Sequence, residues 1–196
     1  MIFFKQFKIK RLLKKIKSMQ LQRQLTQPSV EAIKKEIAMY HRLAAIYHSL
    51  YGKKKHPFAR EMELECYRAS AVIEDAEAQY LLAKALLDEA KCRETFQAEG
   101  VFASDYNERK MKQLYDEAHA YLNASVQLNH IKAKRLLGLC YIKGLGVTTD
   151  QDKGFEYVVS SIEQEQSWTT VPQIFGEMGL NKPEYFSALM NKRSRT

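Results

Sequence analysis

The first thirty residues of this chain contain no aspartate and no glutamate. Eight basic residues stand there instead: Lys5, Lys8, Lys10, Arg11, Lys14, Lys15, Lys17 and Arg23. The chain holds 31 lysines and arginines against 23 acids, so without those eight the basic and acidic residues balance. The net charge of +8 therefore belongs to the N-terminal segment, and the two parts must be read for different partners. Glycine (8) and proline (4) are scarce in 196 residues, which excludes low-complexity sequence and the turn density of a β-sandwich. Cysteine is scarce too, and Cys66, Cys92 and Cys140 form no Cys-x-x-Cys pair, so they read as the reduced thiols of a cytoplasmic protein. The histidines make no metal signature, and no cofactor motif is present, so neither a metal nor a cofactor is expected. No run approaches the roughly 18 consecutive apolar residues of a membrane-spanning helix. Lys5 and Lys8 interrupt the opening Met-Ile-Phe-Phe before a signal-peptide core can form, and lysine dominance with the lone Ser18 argues against a transit peptide.

What is present is helical period. Apolar residues recur at 3.6 spacing almost throughout, and no run shows the strict alternation of a half-buried strand, which predicts an all-α fold. Helices are expected over about residues 29–51, 58–73, 76–91, 108–128, 131–143 and 151–165. Pro28 opens the first, and Gly52 with Lys53, Lys54 and Lys55 closes it. Residues 93–107 read as a loop because they carry Gly100 and a Ser104-Asp105 pair able to cap the next helix. Thr170 with Pro172, and Asn181 with Pro183, look like two further helix starts.

The segment AKRLLGLCYIKGLGVTTDQDKGFEYVVSSIEQ carries a repeat with a mechanical logic. Ala133 and Gly138 are small where a partner helix must come close, while Leu137 and Tyr141 fill the seam one turn apart. Gly144 and Gly146 permit the positive φ angles of a tight link, Val147 can tuck beneath it, and Asp150 can accept the orphan N–H groups of the next helix. This segment closely resembles the Sel-1-like repeat, a relative of the tetratricopeptide repeat. Ala78, Leu82, Ala83 and Leu86 echo it one repeat earlier, and Leu43, Ala44 and Tyr47 echo it once more. The resemblance implies an α-solenoid of about three antiparallel helix pairs over residues 29–166, preceded by an amphipathic helix over 1–28 and closed by capping helices over 167–196. It also implies a non-catalytic adaptor or scaffold that joins protein partners, such as a subunit of a bacterial secretion or envelope complex.

Two surfaces are candidates for binding. In the N-terminal helix Ile9, Leu12, Ile16 and Met19 form an apolar stripe, with Lys8, Arg11 and Lys15 on other faces and Phe3, Phe4 and Phe7 at one end. Such a helix can dock in a partner's groove, lie on an anionic membrane, which would place the protein at the membrane face, or attach to its own solenoid. An accessory role in a ribonucleoprotein is a weaker reading, because the body is neutral and no nucleic-acid motif is visible. The second surface is the face of each repeat's first helix opposite its leucine: His41 and His48, then Tyr80, Lys84 and Leu87, then Arg135 and Leu139. Trp168 reads as a residue of the capping core. Glu61, Glu63 and Glu65 lie at spacing two on different sides of a helix, which reads as a solvated face and not as paired acid and base. No nucleophile, phosphate or dinucleotide motif supports catalysis.

Overall fold

The computed structural model describes residues 2–72, 75–101 and 103–194, with the side chains of Ile2 and Phe3 outside that description. Among these residues the chain is all-α, with no strand. It divides into two compact units, residues 1–82 and 83–196.

The first unit holds α1 (Ile2–Leu25), α2 (Val30–His48), α3 (Ala59–Ala71) and the first turns of α4 (Ala76–Ala98). Ser29 opens α2 by accepting the amide of Ala32 at 3.2 Å, and Gly52 turns the chain after it with φ of 68°. α1 and α2 run antiparallel: Lys5 reaches Ser49 while Arg23 reaches Glu36. α2 and α3 do the same, with His48 against Glu63 and His41 against Tyr67. Their shared core is Ile9, Ile16, Met39, Tyr40, Leu43, Ala44, Tyr47, Leu50, Ala59 and Cys66. The apolar stripe of α1 is therefore spent on its own chain.

The second unit holds the rest of α4, then α5 (Asp105–Gln127), α6 (Ile131–Lys143), α7 (Gln151–Glu165), a 3-10 turn (Trp168–Thr170), α8 (Val171–Met178) and α9 (Pro183–Arg193). The helices expected over 131–143 and 151–165 stand there residue for residue, and both terminal helices carry their proline in the first turn. The loop expected over 93–107 does not exist at that length. α4 runs on to Ala98 because nothing before Gly100 breaks it and an Arg93–Glu89 ion pair at 3.0 Å supports the added turn. Asn107 fastens this turn to α5, donating to the Arg93 carbonyl at 3.1 Å and to Gln97 Oε1 at 3.0 Å, and Ser104 caps α5 through the Asn107 amide. These residues lengthen a helix pair instead of forming a loop.

α6 and α7 form the tightest pair. A Cβ placed on Gly138 would lie 2.7 Å from the Gly154 carbonyl oxygen, and one on Gly154 would lie 2.6 Å from Ile142 Cγ1. Backbone meets backbone here, which only glycine allows. Gly144 ends α6 in the left-handed region at φ of 71°, and Gly146, at 72°, rests so closely on Tyr115 that a Cβ would sit 2.7 Å from it. Asp150 starts α7, accepting the Lys153 amide at 3.0 Å. Leu139, Ile142, Phe155, Val158, Val159 and Ile162 from this pair close a core with Val171, Ile174, Phe175, Leu180 and Leu189 from the terminal helices. Trp168 packs half-buried on that core, with the Arg193 guanidinium 3.9 Å from its ring centre.

Candidate functional site

α1 is pinned at both ends. Near its start Lys5 Nζ donates to Ser49 Oγ at 2.9 Å, and near its end Gln20 Nε2 donates to the Tyr40 hydroxyl at 2.7 Å. Arg23 lies 3.7 Å from Glu36, a carboxylate only 3% exposed. Burial first, and the nearby Glu36 second, hold the Tyr40 phenol above its ordinary range, so it stays a neutral partner. Between these pins Ile9 and Ile16 are buried while Leu12 and Met19 pack half-buried on the core.

This placement corrects the expectation for the stripe. Ile9 and Ile16 cannot meet an outside partner, because they already close the unit's core, and Leu12 and Met19 offer only an edge. Other α1 residues remain on the outside. Phe4 is 63% and Phe7 60% exposed, the Lys8 ammonium sits 4.8 Å over the Phe4 ring, and Lys8, Arg11 and Lys15 are exposed. Phe3 lies outside the described side chains.

Docking α1 on α2 creates an open groove of about 520 Å³, lined by Lys8, Arg11, Leu12, Lys15, Arg42, Ala45 and Ile46. Its floor is apolar and its rim holds four cations and no acid. Arg42 and Ile46 were not readable as site residues from α1 alone. The available signal was α2 itself, whose apolar residues Ile37, Met39, Tyr40, Leu43, Ala44, Ile46 and Tyr47 cover more than one face and so predict two packed neighbours.

The residues expected on the second surface differ in exposure. Leu87 and Leu139 are buried, because the helices bearing them are covered on more than one side, and they are withdrawn as contact residues. Arg135 is half-buried and bonded to Glu165 of α7. His41 is half-buried, edge-on to Tyr67 at 6.2 Å, and Tyr80 is half-buried as well, leaving Lys84 and His48 exposed. Glu63 was expected on a solvated face and is instead 4% exposed, with His48 Nδ1 at 3.2 Å and Arg60 Nη1 at 3.8 Å. It ties α2 to α3, since a buried carboxylate is tolerated only where donors surround it.

Of the repeat residues, Ala133, Leu137 and Gly138 are buried and Tyr141 is half-buried, stacked on Tyr157 at 5.9 Å and bonded to Lys153 Nζ at 2.8 Å. His119 meets the Tyr141 ring edge-on at 5.8 Å. Burial, then the charge of Lys153, hold its imidazole below the usual range against the pull of Asp116. Burial pushes the Cys66 and Cys140 thiols up to about 12, which favours the protonated thiol over the thiolate, and Cys92 is exposed. Among the described residues no group of three or more histidine, cysteine or acidic side chains is placed to hold a metal ion, and no helix is long and apolar enough to cross a membrane.

No family model and no curated protein matches the chain. Among solved structures it is similar to the Sel1 repeat protein from Oxalobacter formigenes, at 21% identity across 80% of this chain and 69% of that one, with a TM-score of 0.25.

Proposed function

We propose that this chain is a non-catalytic adaptor that binds a protein partner within a larger assembly, using the outer face of α1 and the adjoining surface of α2. The observation that supports this most directly is the groove with an apolar floor and a rim of Lys8, Arg11, Lys15 and Arg42. Cations ringing a desolvatable floor are suited to recognition, in which charge orients and apolar contact holds. The helix-pair architecture of α6 and α7, with the resemblance of that segment to repeats that assemble protein complexes, agrees with a scaffold role.

The test is cross-linking mass spectrometry with a photoreactive residue at position 7 of the full-length chain, in extracts of its own cells. A discrete partner, lost on Lys8→Glu, Arg11→Glu and Lys15→Glu together while circular dichroism is unchanged, is the expected result. Equal recovery by the triple variant, or no cross-linked protein at all, would overturn the reading. Deleting α1 is the wrong comparison, because it strips Ile9 and Ile16 from the core.

A further inference from the structure

α1 keeps a repulsion that no acid within the helix relieves. Lys8, Arg11 and Lys15 stand three and four residues apart along one line of the helix, and Lys10, Lys14 and Lys17 along another. Like charges at those separations each weaken a helix, and no acid is interleaved with them. Among the described residues no carboxylate pairs with Lys8, Arg11, Lys15 or Arg42. The groove between these cations therefore lacks anionic charge, and the two walls differ: α1 contributes three cations and α2 contributes Arg42.

The shape narrows what can supply that charge. Lys8 to Lys15 spans seven residues, or about 10 Å along the helix, which is about two turns of a helix laid beside it. Both walls are α-helices whose backbone groups are already bonded, so an added β-strand would find no open edge to pair with. A bilayer is flat and would meet the cationic rim and the exposed Phe4 and Phe7 without filling the floor of Leu12, Ala45 and Ile46 between the two helices. Leu12 and Ile46 also pack on the core, which holds the floor in place.

We propose that the groove seats an acidic amphipathic helix of a partner protein, with an apolar side chain on Leu12, Ala45 and Ile46 and carboxylates on both flanks, toward Lys8, Arg11 and Lys15 on one side and Arg42 on the other. This rests on the adaptor reading and names the partner's chemistry.

The test titrates the full-length chain with a fluorescent helical peptide of about 18 residues, with leucines at i, i+3, i+4 and i+7 and glutamates on its other faces. A scrambled peptide of the same composition and vesicles of phosphatidylcholine with phosphatidylserine are run in parallel. The amphipathic peptide is expected to bind roughly tenfold or more tightly than the scrambled one. Two changes should each weaken it by roughly tenfold or more: Ala45→Trp, which fills the floor from an exposed position, and Arg11→Glu with Lys15→Glu. Lys34→Glu with Lys35→Glu, exposed on α2 and not lining the groove, should leave it unchanged. Equal binding of the scrambled peptide, indifference to Ala45→Trp, or binding of vesicles but not peptide would each overturn the proposal. If the peptide fails while the photoreactive residue on α1 still captures a discrete partner that the triple charge reversal loses, the groove proposal falls and the adaptor reading stands. If the peptide binds as expected but no partner is cross-linked, the groove's chemistry stands and the adaptor reading falls.

Discussion

The α6–α7 pair and the α1–α2 pair are both antiparallel, yet they are held by opposite means. Between α6 and α7, Gly138 and Gly154 bring backbone against backbone, so the seam has no room for a methyl group. Between α1 and α2 the contact is a thin row of Ile9, Leu12, Ile16 and Met19, with Lys5, Gln20 and Arg23 as polar pins. One pair is specified by what is missing from its side chains, the other by a few side chains that cannot be lost. A seam of the first kind is fixed in geometry; one of the second kind is fixed only while its large residues stay.

The largest test of this contrast is Ile16→Ala. The residue is 3% exposed, and its truncation should cost about 3 kcal/mol, seen in urea unfolding, with faster tryptic cleavage among Lys14, Lys15 and Lys17. If α1 stays protected from trypsin, the row is not what holds it. Gly154→Ala comes next at about 2 kcal/mol, because overpacking at 2.6 and 2.8 Å outweighs the helix propensity that alanine gains. A neutral result would make the α6–α7 seam as adjustable as the other and erase the distinction. Asp150→Ala removes the cap of α7 without touching the seam and should cost about 1 kcal/mol, read as a lower urea midpoint.

The smallest effect is one of pH. His119 has its folded-state pKa depressed below 6.5, so the unfolded chain takes up a proton more readily. Its contribution is complete above about 6.5 and is lost as pH falls toward the folded value. A melting temperature followed from about one unit above that point to one below should decline, and His119→Gln should flatten that part of the decline. An unchanged slope would mean that the ring against Tyr141 titrates as if in water.

The strongest repeat was legible because its demands are local. Gly144 and Gly146 need positive φ, Asp150 needs an orphan amide three residues on, and each need shows in the spacing. The continuation of α4 through Arg93 was not, because Ser104 and Gly100 mark a helix end correctly but do not say how far back the preceding helix stops. That depended on Asn107 reaching Arg93 and Gln97 across the link. Leu87 and Leu139 were misplaced for a different reason. Helical geometry puts them opposite the first packed face, and only the arrival of another helix decides whether that second face is covered. The α1 stripe was readable as apolar, but the surface that receives it lies on α2, in residues such as Met39 and Tyr47 that seen alone suggest only a thickly buried helix. Glu63 followed the same pattern, since the donors that make its burial tolerable come from His48 and Arg60.

Pinning α1 at Lys5 and Gln20 has a kinetic consequence. A loose tail would spread its charge into a cloud with no orientation, whereas a fixed helix arranges its cations as a ridge whose field has a direction. An acidic surface diffusing past would be turned toward the ridge before any contact forms, so the arrangement acts on how often collisions are productive. Added salt shortens the reach of that field to roughly 8 Å at physiological strength and should slow arrival far more than it hastens departure.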